Sequence, residues 1–218
     1  MTVQPSLTVK AAKKQLRTHI KARLKTITQE SLTSQSQLIL SRLVNNPTFK
    51  NAKSVAVYMN MPDSEVQTLP IIEQCFNLNK QVYLPRCNTI PVKHRKPNYL
   101  SMLKIEVYND VLNLQPQGKY QLLEPTSGED AMESGDLDLI LLPGVAFSST
   151  LQRLGHGAGF YDEFLSTYRQ KWSKLPSLIG LALQEQIVPE DSIPVEDHDY
   201  GLDQIITSSR TFPSLQQI

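Results

Sequence analysis

The sequence predicts an α/β fold, a single domain over residues 1–218 whose mainly parallel sheet is flanked by helices. Three observations predict it. In "DLDLILLPGVAF", Leu137, Leu139, Ile140, Leu141 and Leu142 form a near-continuous apolar run, the pattern of a parallel strand buried on both faces. "SVAVYM" and "SLIGLAL" are further short apolar runs of strand length. Stretches of helical periodicity separate these runs, and alternation of strand and helix is the mark of a parallel sheet with crossover helices.

The elements follow in order. "TVKAAKKQLRTHIKARLKTIT" reads as a helix, with Leu16, Ile20 and Leu24 at four-residue spacing among lysines and arginines. "TQESLTSQSQLILSRLVNN" reads as a second, capped by Thr28, turning Leu32, Leu38, Ile39 and Leu43 inward and stopping at Asn46-Pro47. The strand "SVAVYM" is followed by a helix over "TLPIIEQCFNLN", whose Pro70 is tolerable in a first turn. "QVYLPRC" is the next strand. From Asn88 to Thr126 the Pro-punctuated pattern suggests short strands and loops. The strand "DLDLILLPGVAF", a helix over "YDEFLSTYRQKW", the strand "SLIGLAL" and a last strand "QIITSS" complete the chain.

Composition narrows the function. A net charge of +1 with 20% charged residues gives no bulk drive toward nucleic acid or an anionic membrane, and no run approaches the length that spans a bilayer. Cys75 and Cys87, the two cysteines, have neither a disulfide-framework nor a zinc-site spacing. The simplest reading is a reducing, cytoplasmic setting. The first acidic residue is Glu30, after seven lysines and arginines, so the N-terminus also has the look of a mitochondrial presequence, with the matrix as the alternative. The reading preferred is a basic surface helix of the mature fold, with residues 1–12 flexible. A monomer is the default.

Three of the nine glycines fall within five residues, in "RLGHGAGFYDEF" at Arg153–Phe164. The stretch lies between the clearest strand and a helix, where open α/β sheets bind ligands. Glycines allow positive φ and close approach to the backbone, and unpaired N–H groups at a helix start favour anions. The local physics therefore predicts a phosphate-binding loop, supported by Arg153 and His156. The spacing matches neither the dinucleotide nor the Walker pattern, so a plain glycine-rich turn is the competing reading. Asp162 either complements the helix dipole or holds Mg²⁺, which favours one or two carboxylates plus phosphates. Asp197, Asp199 and Asp203 in "VEDHDYGLD" offer a second carboxylate or form a solvated acidic loop.

"KKQLR", "LPGVAFSSTLQRLGHGAGFYDEFL" and "EQIVPEDSIPVEDHDYGLD", with "VYMNMPDSEVQT", "YLPRC" and "PQGKYQLLEP" between them, together resemble the 5-formyltetrahydrofolate cyclo-ligase family. The resemblance spans about Lys13 to Asp203. It implies a sheet related to those of sugar-phosphate isomerases and CoA-transferases. It also implies an ATP- and Mg²⁺-dependent closure of 5-formyltetrahydrofolate to 5,10-methenyltetrahydrofolate, through phosphorylation of the formyl oxygen and attack by N10. On the same footing, Lys13, Lys14 and Arg17 are implied to contact ATP phosphates. The loop Arg153, Leu154, Gly155, His156, Gly157, Ala158, Gly159, Phe160 and Tyr161 is implied to bind ATP, and its His156–Phe160 part also to face the folate. Met59, Glu65 and Tyr120 are implied to contact the folate, Glu65 anchoring the pterin, and Asp162 and Asp199 to bind the metal. The sequence departs from the family's R-L-G-R-G-x-G-Y-Y-D at His156, where an arginine is usual, and at Phe160, in place of the first tyrosine. Arg86, at a strand end, is a candidate contact for a phosphate or the folate tail. A non-catalytic folate- or nucleotide-binding protein is the alternative, but the cations and carboxylates of a working site are all present.

Overall fold

The computed structural model describes residues 8–89, 92–93, 95–118 and 121–213. Of the stretch expected to be flexible, residues 1–7 lie outside the described residues, and the chain is helical from Val9. Tyr120 and His94 also lie outside them.

Helix α1 (Val9–Leu24) starts where the Thr8 hydroxyl accepts from the Ala11 N–H at 3.3 Å. Helix α2 (Gln29–Asn45) starts the same way, Thr28 accepting from Ser31. Asn46-Pro47 stops α2 as expected, but it also begins a short helix, α3 (Pro47–Asn51). The Asn46 side chain accepts from the N–H groups of Thr48 and Phe49, and Pro47 sits in the first turn, where a missing N–H costs nothing. Strand β1 (Ser54–Ala56), helix α4 (Leu69–Asn77) and strand β2 (Gln81–Asn88) follow.

The weakly patterned middle contains more regular structure than the sequence suggested. Strand β3 (Tyr99–Ile105) runs antiparallel to β2 over seven residue pairs, from Val82–Ile105 to Asn88–Tyr99. Helix α5 (Tyr108–Leu112), the small hairpin β4 (Pro116–Gln117) and β5 (Leu122–Leu123), and helix α6 (Ala131–Ser134) then lead to β6 (Leu139–Leu142). "DLDLILLPGVAF" is not one strand. Pro143 ends β6, and Ala146–Ser148 forms β7 in a second, three-stranded sheet with β8 (Arg153–Leu154) and β10 (Ile187–Val188). Helix α7 (Phe160–Trp172), β9 (Ser177–Leu181), β11 (Gln204–Ile206) and β12 (Thr211–Phe212) complete the fold.

The main sheet has the order β12-β11-β9-β6-β1-β2-β3. Strands β2, β1, β6, β9 and β11 are mutually parallel, and β3 and β12 are antiparallel edges. The strand order reverses between β1 and β6, so the crevice beyond their carboxyl ends is where such a sheet binds ligands. The pleat sends alternate residues to two cores. Val55, Val82, Leu84, Leu139 and Leu141 pack with Ile39, Leu43 and Ile71 of α2 and α4, while Ala56, Tyr83, Ile140 and Leu142 pack with Phe164, Leu165 and Tyr168 of α7. Each fully buried aliphatic side chain contributes about 1.5–3 kcal/mol. Leu38, expected to face inward, is half exposed. On α2 the buried positions are Leu32, Gln35, Ser36, Ile39 and Leu43, a stripe that Leu38 flanks.

Phe147 joins the two sheets. Its ring is fully buried between two glycines: a Cβ at Gly144 would stand 2.7 Å from the ring, and one at Gly180 would stand 2.7 Å from both the ring and Leu202. All the atoms that a side chain at Gly180 would meet are buried and cannot swing away. Gly180→Ala should therefore destabilise the fold by about 1–3 kcal/mol. Urea unfolding checks this, and a midpoint unchanged from the parent would refute the wedge.

Candidate active site

The glycine loop runs from the end of β8 to the start of α7, and each of its glycines has a reason. Gly157 has φ +109° and Gly159 has φ +70°, backbone that side chains resist. Gly155 has ordinary dihedrals but lies against Arg153, whose Nη1 would be 3.0 Å from an added Cβ. Gly159 is also the N-cap of α7, and no side chain caps that end, so the positive end of the helix dipole there favours an anion.

Helix α1 crosses the back of this loop. Arg17 Nε donates to the Gly155 carbonyl at 2.8 Å, and its guanidinium would lie 3.5 Å from a Cβ on Gly157. One turn earlier Lys13, 7% exposed, donates to Glu196 at 2.8 Å and to Asp199. Asp199 also accepts from the Glu196 N–H at 2.8 Å. Burial alone would push the Asp199 carboxyl up, but the Lys13 and Glu196 hydrogen bonds outweigh it and hold the carboxyl below its ordinary value. Lys13 is raised in turn, because its two carboxylates overcome its own burial. Burial lowers the Arg17 guanidinium, and the Asp199 charge opposes that shift.

Asp162 lies in the first turn of α7. Both its oxygens accept from Arg153 Nη2, at 3.1 and 3.3 Å, and Oδ1 also accepts from the Tyr200 N–H at 3.4 Å. That last bond brings the residue after Asp199 to the corner where Asp162 lies, while the Asp199 carboxylate itself turns to Lys13 and the Glu196 N–H. The described residues contain no group of three or more His, Cys, Asp or Glu with metal-site geometry. Two carboxylates beside an uncapped helix end suit Mg²⁺, which takes one or two carboxylates and completes its shell with water and phosphate. Arg153 Nε, buried and without a hydrogen-bond partner among the described residues, marks the same corner as short of an acceptor.

In front of the loop lies a cavity of about 570 Å³. It opens at the topological switch point: Tyr58, Met59 and Glu65 follow β1, Pro143 follows β6, and Pro85 and Cys87 come from β2. Leu100, Leu122 and Leu123 line an apolar wall. The segment after β1 is closed on itself, with Thr68 and Asn60 exchanging hydrogen bonds through their side chains. This pins Glu65, which is buried and has both oxygens engaged. Oε2 accepts from the Met61 N–H at 2.8 Å, and Oε1 pairs with His156 Nε2 at 3.1 Å. Burial also pushes the Tyr58 and Tyr161 hydroxyls well up, so both are neutral donors at the cavity.

The residues singled out in the sequence thus divide. Arg153, Gly155, His156, Gly157, Ala158, Gly159, Phe160, Tyr161, Asp162, Met59 and Glu65 all line the cavity. Lys13, Arg17 and Asp199 do not line it but form an ionic cluster on the same loop, although Lys21 of α1 does reach the cavity. Leu154 is in the core, paired with Ala146 across β7. Lys14 is exposed on α1, and its side chain makes no hydrogen bond or ion pair among the described residues. Arg86 bonds to the Thr126 carbonyl at 2.7 Å and does not line the cavity. The sequence reading missed Tyr58, Met61, Cys87 and Glu124 in the cavity wall, and Glu196 beside Lys13. Glu196 had a signal, since it lies in the acidic loop already singled out.

A parallel sheet with a glycine loop and a cavity at its switch point is the architecture of an α/β enzyme. The sequence model of the 5-formyltetrahydrofolate cyclo-ligase family matches residues 9–208. The chain belongs to that family and is an enzyme of its ligase class. It is 38% identical over 205 residues to the 5-formyltetrahydrofolate cyclo-ligase of Saccharomyces cerevisiae, covering 90% of this chain and 95% of the yeast protein. It is 32% identical over 204 residues to the protein of that name from Mus musculus, covering 92% and 96%. The NMR structure of Aquifex aeolicus 5,10-methenyltetrahydrofolate synthetase superposes with a TM-score of 0.70 at 25% identity, over 92% of this chain and 91% of that one. No helix among the described residues is long and apolar enough to cross a membrane.

The Lys13–Asp199 pair sets a pH dependence. A carboxyl held below its unfolded value stabilises the fold above the ordinary carboxylate range, and that stability is lost as pH falls through the folded value. The thermal midpoints of the parent and Asp199→Asn should therefore differ most near neutrality and converge as pH falls below about 4. Midpoints that stay equally far apart in acid would show that Asp199 acts by packing instead.

Proposed function

We propose that the protein closes 5-formyltetrahydrofolate to 5,10-methenyltetrahydrofolate, with ATP and Mg²⁺, releasing ADP and phosphate. The observation that carries this reading is the clamp of α1 on the glycine loop, which gathers Lys13, Arg17 and Arg153 near the N-terminal end of α7. A triphosphate needs such a set of donors. Met59, Glu65 and the apolar wall present the folate side of the same cavity.

The formyl group on N5 is an amide and a weak electrophile. Its oxygen attacks the γ-phosphate, an O–P bond forms, and ADP leaves. N10 then attacks the activated carbon, the N10 proton is released, and phosphate departs with the formyl oxygen, leaving the methenyl cation. The protein's part is alignment and charge screening. Arg17 and the loop N–H groups hold the phosphates against the cavity mouth, and Arg153 faces the transferred group. Asp162 and Asp199 would hold Mg²⁺, which supplies neutralisation of phosphate charge. His156, at the sequence position where the family motif carries an arginine, is held by Glu65 across the cavity. Cys75 and Cys87, both free thiols, suit a cytoplasmic setting.

The direct test mixes protein, Mg-ATP and 5-formyltetrahydrofolate and follows near-ultraviolet absorbance together with phosphate release. One phosphate per methenyl product is expected. Folate binding with neither product nor phosphate would mark a non-catalytic binding protein. Asp162→Asn keeps the shape of the side chain but removes its charge, and should lower turnover on the order of a hundredfold or more. Undiminished turnover would dismiss the metal assignment.

A further inference from the structure

The cavity holds a second buried carboxylate that the proposed mechanism does not use. Glu124 follows β5 on the wall formed with Leu122 and Leu123, and it is 6% exposed. Arg86 fixes this segment through its bond to Thr126, two residues on. Among the described residues, no lysine, arginine or histidine pairs with Glu124; the polar group beside it is the Cys87 thiol of strand β2. A thiol is a weak donor and satisfies little of a carboxylate's capacity. Burying a charge with so little compensation is costly unless a ligand brings donors. Glu65 is the opposite case, with both oxygens already bonded by Met61 and His156.

The cavity wall around Glu124 is apolar and enclosed, which suits a flat ring that carries its own N–H groups. We infer that Glu124 is a substrate-binding residue that accepts the paired N–H groups of the folate's 2-amino-4-oxopyrimidine edge. That edge offers an amino N–H and a ring N–H side by side, the fork geometry that a carboxylate receives with two parallel bonds. The inference rests on the cyclo-ligase reading and reassigns to Glu124 the anchoring that sequence resemblance gave to Glu65.

The test is calorimetric titration with 5-formyltetrahydrofolate in the absence of nucleotide, on the parent and Glu124→Gln. The variant should bind about ten- to a hundredfold more weakly, as expected for losing hydrogen bonds to a charged acceptor. Its affinity for Mg-ATP should stay within about twofold, because Glu124 is not among the residues at the phosphate corner. Unchanged folate affinity, or equal weakening of both ligands, overturns the inference. So does a fall in turnover with unchanged folate affinity and a lost pH limb, which would make Glu124 the acceptor of the N10 proton.

Iodoacetamide labelling, resolved by mass spectrometry, provides a second measurement on the unaltered protein. Burial, joined by the Glu124 hydrogen bond, pushes the Cys87 thiol up to about 12, so labelling is slow. 5-Formyltetrahydrofolate should slow it several-fold further, and Mg-ATP alone should not. No protection by the folate overturns the placement even if Glu124→Gln fails to fold, a failure that labelling of buried Cys75 would expose. Folate binding by the parent without product formation would refute the cyclo-ligase reading and leave this inference standing.

Discussion

A single hydrogen bond, from Arg17 Nε to the Gly155 carbonyl, ties the N-terminal helix to the glycine loop, and the site is arranged around it. The loop needs an outside tie, because Gly157 and Gly159 adopt positive φ and bring no side chains of their own to hold the backbone. The helix needs one because its face toward the loop is basic and its apolar contribution is small, with Lys13, Ile20 and Leu24 as its buried residues. Arg17 serves both. It adds a second guanidinium beside that of Arg153 and lies close enough to Asp199 to feel its charge.

The charges at this corner are matched in advance. Lys13 faces Asp199 and Glu196, Arg153 faces Asp162, and His156 faces Glu65. Groups that are partly withdrawn from water would be costly if left single, and pairing compensates them while leaving them oriented. The parallel sheet determines where the corner falls. With strand order reversing between β1 and β6, the segments that leave those strands diverge, and the cavity is the space between them. The wedge of Phe147 between Gly144 and Gly180 holds the second sheet, and so the start of the loop, against that opening.

Much of this was legible in the sequence. The parallel strands around the switch point are short apolar runs, and burial on both faces is what writes such runs. The glycine loop was legible because positive φ and close approach select one residue type. Less legible were the features that depend on pairing at a distance. Strand β3 alternates weakly because both its faces are covered, Leu100 and Met102 packing in the core of α7 and Ile105 in the core of α2 and α4. The break of "DLDLILLPGVAF" into two sheets is set by Pro143 and by the space around Phe147. Leu38 fitted an apolar count but falls beside the buried stripe. Glu124 was invisible as a site residue, since no local pattern tells a buried carboxylate from a solvated one, and Glu196 was marked by nothing more than the acidic loop it lies in. Lys14 was included by its place in "KKQLR", but as the residue next to buried Lys13 it falls on a different face of α1 and is exposed.

The account stands on the claim that Arg17 organises the loop for a triphosphate. The most direct measurement is the dissociation constant of Mg-ATP for the parent and for Arg17→Met, which keeps much of the aliphatic stem and removes the guanidinium. The account predicts affinity weaker by about tenfold or more, the value of a charge-assisted contact, with the thermal midpoint little changed. Equal affinity in the two proteins would contradict it and place the nucleotide elsewhere.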